Sequence, residues 1–235
     1  MDYCKNELDV FIVLNDFNTL DNNVRVMELG EKQPSSLKYD KSEAYGQDGF
    51  TKVSEEAYRG FERTSRLLTN SVETYDLFMN KFYIGKDVKV YYSDDNDKYR
   101  YGVISDIKDN IIIGDNREIA ITIDLQPFKY TNKTTIEITS QTDLYNSGNV
   151  YAKPLIYVYG DGIGNVYING QTMKLDVDTS LLIDCIDIDI FDKDGLRANS
   201  RRKEGNFFIL EEGKNTINFD GAITRLEINV AWRWR

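Results

Sequence analysis

A chain of 235 residues, 41% of them apolar, can bury a real core in one domain or two, and its 16 Tyr and 11 Phe favour strands over helices. It contains no histidine, which removes the commonest general base and metal ligand and, with them, any Ser-His-Asp, Cys-His or His-bearing zinc site. The formal charge of −10, from 29 basic and 39 acidic residues, opposes stable nucleic-acid binding and leaves plain solubility, or a surface past which DNA slides without sticking.

The opening MDYCKNELDVFIVLND has an apolar run of only five and no basic flank, so it does not read as a signal peptide. No run approaches the ~18 apolar residues of a membrane span. Cys4 and Cys185 lie far apart and are expected reduced and buried, as in a cytosolic chain. Residues 10–14 (VFIVL) and Val24–Glu28 (VRVME) read as strands around a polar turn over 15–23. Residues 31–49 are polar, include a proline and predict a long loop. Residues 54–68 are ambiguous. Glu55 and Glu56 suit a helix's first turn and Tyr58, Phe61 and Leu68 roughly fit its period, while a twisted strand over 63–68 fits as well.

The next segment is a clearer helix. Ser71 can cap its start, Gly85 can close its far end, and Val72, Tyr75, Phe78, Met79 and Phe82 make a helical apolar stripe. Residues 88–92 and 99–105 then form a hairpin, continued by 110–114 (NIIIG) and Arg117–Leu125. Asp94, Asp95 and Asp97 lack the ligand spacing and closing Glu of a calcium loop, so an exposed hairpin tip is expected there.

After 126–133 (QPFKYTNK) the pattern changes to short strands at 8–12-residue spacing, the pattern of a sandwich. Two domains are therefore expected, 1–130 and 131–235. In the second, Ile186, Ile188 and Ile190 alternate with Asp187 and Asp189, predicting one buried face. Residues 192–195 (DKDG) read as a tight turn and not a metal loop. Residues 160–165 (GDGIGN) echo a dinucleotide fingerprint, but no helix follows to receive a phosphate. Residues 206–221 predict a hairpin with Phe207, Ile209, Ile217 and Phe219 on one face. No residue is singled out as catalytic, cofactor-binding or metal-ligating.

Two runs carry a resemblance to a known family. In 144–162 (LYNSGNVYAKPLIYVYGDG) the spaced residues are Asn146, Gly148, Ala152, Pro154 and Gly160. In 206–221 they are Leu210, Gly213, Asn215, Ile217, Phe219 and Gly221, and NVYINGQ and LLIDC fall between the runs in order. Together they resemble the distal tail proteins of long, non-contractile-tailed phages of Gram-positive hosts. QPFKYT is similar to that family's interdomain junction and GKDVKVYYSDD to its ring domain, while GQDG (46–49) is a weak counterpart of its N-terminal glycine-rich element.

The resemblance implies a mainly β protein with an N-terminal α+β ring-forming domain (1–130) and a C-terminal galectin-like β-sandwich (131–235). It implies a homo-hexamer in the virion that joins the tail tube protein to the tail-tip hub or tail-associated lysin protein, without enzymatic activity. Tape measure and receptor-binding proteins are further candidate partners. Residues 31–49 are the segment expected to reach a neighbouring subunit. A rival reading is a carbohydrate-binding, lectin-like adsorption module. The galectin sugar site uses His, Arg, Asn and a stacking Trp. This chain has no His, and Trp232 and Trp234 lie at its C-terminal edge.

Overall fold

The computed structural model describes residues 10–43, 45–46, 48–95, 97–112 and 114–235. Cys4 and the opening MDYCKNELD lie outside them. The first part of the chain holds β1 (Ile12–Leu14), β2 (Phe17–Asn18), β3 (Val24–Glu28), β4 (Ser36–Ser42), β5 (Thr51–Arg59), β6 (Phe61–Thr69), α1 (Val72–Lys81), β7 (Asp87–Tyr92), β8 (Tyr99–Ile111), β9 (Arg117–Leu125) and β10 (Lys129–Tyr130). The second part holds β11 (Thr134–Ile138), β12 (Thr142–Asn146), β13 (Leu155–Ile168), β14 (Gln171–Asp184), β15 (Asp189–Asp192), β16 (Arg202–Glu204), β17 (Gly213–Val230) and β18 (Arg233–Trp234). The fold is mainly β, as the sequence predicts. It divides into two compact units between Lys129 and Tyr130, with Arg235 grouped with the first.

In the first unit an antiparallel sheet runs in the order β2-β1-β7-β8-β9-β6-β3. Its two edge strands, β2 and β3, are joined by residues 19–23, a link that can span at most roughly 20 Å. The Thr19 amide donates to the Ile12 carbonyl at 3.0 Å, and the Val24 amide to the Thr19 carbonyl at 2.9 Å. The sheet therefore curls until its edges approach each other. The concave face buries Val88, Val90, Ile104, Ile119, Ile121, Ile123 and Leu67, the alternate residues of their strands.

Helix α1 packs onto this core. Ser71 Oγ accepts from the Thr74 amide at 3.1 Å, the N-cap read from sequence. Phe78 and Phe82 meet Phe17 edge-on, with ring centroids 5.8 and 5.5 Å away. Tyr75 and Met79 pack partly against the core, while Val72 stays exposed. The helix ends at Lys81 with an extended Phe82, earlier than expected. Gly85 does take a positive φ of 90°, but in the turn into β7, where its amide donates to the Ile104 carbonyl.

One expectation about secondary structure fails in this unit, and one open reading is decided. Residues 31–49 are not one loop: Ser36–Ser42 is a strand paired with β5. The ambiguous 54–68 is strand throughout, except at Gly60. The alternation of Arg63, Ser65, Leu67 and Thr69 inward decides β6. A polar inward pair hid that period from a count of apolar residues alone.

The second unit is built from three long antiparallel strands. β13 and β14 pair along their whole length through an Asn169–Gly170 turn, with φ of 51° and 81°. β17 pairs with β13 on its other side. At one end, β11 and β15 extend this sheet through Thr134↔Val230 and Asp184↔Asp189. At the other end, β12 and β16 extend it through Thr142↔Ile217 and Lys174↔Glu204. The β13–β17 register shifts between Tyr159 and Gly164. A Cβ at Gly160 would sit 2.2 Å from the Ala222 carbonyl oxygen, and one at Gly221, with φ 69°, would sit 2.6 Å from that of Ile163. Only glycine permits so sharp a corner, and the long strands cross it from one layer of the sandwich to the other.

Both halves share one core of Ile156, Val158, Val166, Met173, Leu175, Ile183, Ile217, Leu226 and Ile228. Phe208 and Leu210 are fully buried in it, while Phe219 is half-buried against it. The expected 206–221 hairpin does not form. Its first arm pairs only through Leu210, with Ala152, and it is Phe208 that points inward. Ile186 and Ile188 are also misplaced by the sequence reading. They are 51% and 59% exposed in a turn whose Ile186 and Asp187 amides donate to Asp184 Oδ1.

Candidate assembly surface

The β4–β5 hairpin is a separate two-stranded sheet, from Ser36↔Arg59 to Ser42↔Thr51. Among its described residues, Leu37, Lys38, Ala57 and Tyr58 are partly covered and the rest are exposed. Tyr39, Val53 and Phe50 stand in solvent, steadied by Lys52 over the Tyr39 ring and Lys41 over the Phe50 ring. A two-stranded hairpin without a core is marginal in water by itself.

The root of the arm sits on a buried charge cluster. Asp95, its side chain 4% exposed, receives Lys129 Nζ at 2.8 Å and Lys32 Nζ on the same Oδ1, and faces Arg100 Nε at 3.8 Å. Arg63 makes a two-point contact with Asp94 at 2.9 and 3.3 Å, donates to the Gly30 carbonyl at 3.1 Å and lies 4.0 Å over the Tyr92 ring. Burial pushes the Asp95 carboxyl up, but Lys129 and Lys32 outweigh it and hold the group below the ordinary carboxylate range. Burial likewise pushes the Tyr92 phenol up to about 12. The expected exposed hairpin tip is thus corrected: Asp95 is an interior anchor, because four cations from separated segments converge on the turn. No metal-ligand spacing in the sequence could reveal that.

The residues carrying the sequence resemblance have structural jobs. Asn146 donates to the Val150 carbonyl at 2.9 Å and accepts from the Gly148 amide at 2.8 Å. A Cβ on Gly148 would fall 2.1 Å from the Arg233 carbonyl oxygen. Asn215, fully buried, accepts from the Glu211 amide and Asn169 Nδ2 and donates to the Glu211 and Gly213 carbonyls. Residues 160–165 form the sandwich corner, and Asp192 Oδ1 accepts from the Asp194 and Leu196 amides to close a turn. Among the described residues, no three His, Cys, Asp or Glu side chains gather as metal ligands. No described helix is long and apolar enough to cross a membrane.

No protein-family model matches this chain, and no curated protein does. Among solved structures it is similar to the crystal structure of the SPP1 Dit (gp 19.1) protein, with a TM-score of 0.79 at 14% identity. The superposition covers 97% of this chain and 100% of that one. The fold is that of Dit. The SPP1 protein is described as a paradigm of the hub adsorption apparatus in Gram-positive infecting phages. The Dit likeness spans both units, and so agrees with a sequence resemblance carried mainly by the second. At this identity the shared Dit feature is the backbone arrangement. The arm and the Asp95 cluster are read from this chain's own residues.

Proposed function

We propose that this protein is a structural component of the distal end of a long phage tail, where six copies close a ring through the first unit. The observation that carries the reading is the solvent-exposed β4–β5 arm on a fold similar to Dit over 97% of the chain. An arm exposed on both faces gains stability only when a neighbour covers it, and repeated around an axis such a head-to-tail contact closes a ring. The ring joins the tail tube protein to the tail-tip hub or tail-associated lysin protein. The second unit serves as a galectin-like sandwich outside the ring, with receptor-binding and tape measure proteins as further partners.

The proposed role needs no catalysis, cofactor or metal. Through Tyr130 the chain carries 24 Asp and Glu against 17 Lys and Arg, net −7, and acidic side chains lining the channel would let DNA pass without being held. Assembly takes place in the host cytoplasm and the product resides in the virion. The test replaces residues 36–59 by a short Gly-Ser linker. The expected protein keeps its two folded units by circular dichroism but no longer assembles on a sizing column. Rings formed by the linker variant would refute the role of the arm.

A further inference from the structure

We infer that the buried Asp94–Asp95 cluster is a latch coupling the root of the β4–β5 arm to the segment that leaves the first unit. Two stretches far apart in sequence end on the same carboxylate. Lys32, four residues before β4, and Lys129, the last residue of the unit, both ion-pair with Asp95 Oδ1. The carboxylate reaches 126–127 a second time through Arg100, and the two stretches also touch directly. Arg100, which faces the other Asp95 oxygen, donates to the Pro127 carbonyl at 2.8 Å and the Gln126 carbonyl at 3.3 Å. Ser35 Oγ donates directly to the Pro127 carbonyl. On the arm side, Arg63 holds the Gly30 carbonyl, Ser65 Oγ holds the Leu29 carbonyl at 2.9 Å, and Lys32 also donates to the Asp94 carbonyl.

The physics favours a device over a general stabiliser. Arg63, Arg100 and Asp95 are almost fully buried, with side chains 2%, 3% and 4% exposed. Ion pairs at such depth lose about as much to desolvation as they gain by attraction, so their net stabilisation is small. What they do impose is a single arrangement, because Arg63, Arg100 and Asp95 are buried only with oppositely charged groups held beside them. Residues 29–35 and 126–128 lie outside regular strands, and besides the cluster the second stretch is held by the Gln126 amide on the Tyr101 carbonyl, by β10 pairing with β8 and by the Tyr58–Phe128 ring contact. A displacement of the arm root must therefore move or break contacts that also hold 126–129. The latch belongs to the free chain and does not depend on ring formation.

Hydrogen exchange of the free full-length protein tests the coupling. Lys129→Met is changed at one stretch and read at the other. Its expected effect is at least about tenfold faster exchange at the amides of 29–33, with the amides of β9 unchanged. Lys32→Met should do the converse at residues 126, 128 and 129. Loosening confined to the mutated stretch, or no loosening, overturns the proposal. Uniform loss of β9 protection also overturns it, because that would make the cluster a general stabiliser. Should Lys129→Met fail to fold, Ser35→Ala, which leaves every buried charge paired, is read in the same way at 126–129.

Discussion

Asn215→Ala separates a structural role for the resemblance residues from a recognition role. The side chain is fully buried and makes four hydrogen bonds, at 2.7 Å from the Glu211 amide, 2.8 Å from Asn169 Nδ2, 2.9 Å to the Glu211 carbonyl and 3.1 Å to the Gly213 carbonyl. Each is worth about 1 kcal/mol net, and a partner left dry costs about 1–3 kcal/mol. Glu211 and Glu212 are exposed, so water recovers part of the loss. The expected destabilisation is about 2–4 kcal/mol, which in a unit of this size is a fall of order 10–20 °C in Tm. Trp232 and Trp234 are the chain's two tryptophans and both lie in the second unit, so urea unfolding followed by their fluorescence reports that unit selectively. Asn165→Ala is the control: it breaks one exposed contact with Asp220 and should cost under about 0.5 kcal/mol. A loss under about 1 kcal/mol for Asn215→Ala would refute the reasoning.

Three further outcomes are expected. Phe208→Ala should cost about 3–5 kcal/mol in the same assay, and more than Phe219→Ala, because Phe208 is fully buried and Phe219 is not; equal losses would contradict the burial assignment. Cys185 is buried, and burial pushes its thiol up to about 12, so iodoacetamide at pH 8 should leave it unlabelled in the native protein and label it in urea, as read by peptide mass. Asp95 is held below its ordinary value of 3.8, so its contribution is fully present above about pH 5 and lost as pH falls through the lowered folded value. Acid should therefore narrow the stability gap between the wild-type first unit and its Asp95→Asn variant, and a gap independent of pH would remove Asp95 from the account.

The periodic elements were legible in the sequence. β3 and β9 carry the expected boundaries, and α1 announces itself through Ser71 and its aromatic stripe. Misreadings came where one residue type serves two geometries. Glycine marks turns in a sequence, yet Gly160 and Gly221 are corners within the continuous strands β13 and β17. Ile186 and Ile188 show an alternation that the backbone breaks, with Ile188 at φ 61°. The arm hid because a strand exposed on both faces has no apolar period. Tyr39 facing Ser54 and Asp40 facing Val53 is a pairing no hydrophobic count detects. The Asp95 cluster hid because its cations come from residues 32, 63, 100 and 129, and only the curled sheet brings them together.

Native mass spectrometry of the purified protein, alone and with its cognate tail tube protein, tests the ring most directly. The account predicts a species of six times the chain's 27.2 kDa, formed alone or on the tube protein and absent when residues 36–59 are replaced. A wild-type chain that stays at 27.2 kDa beside its tube partner would contradict it.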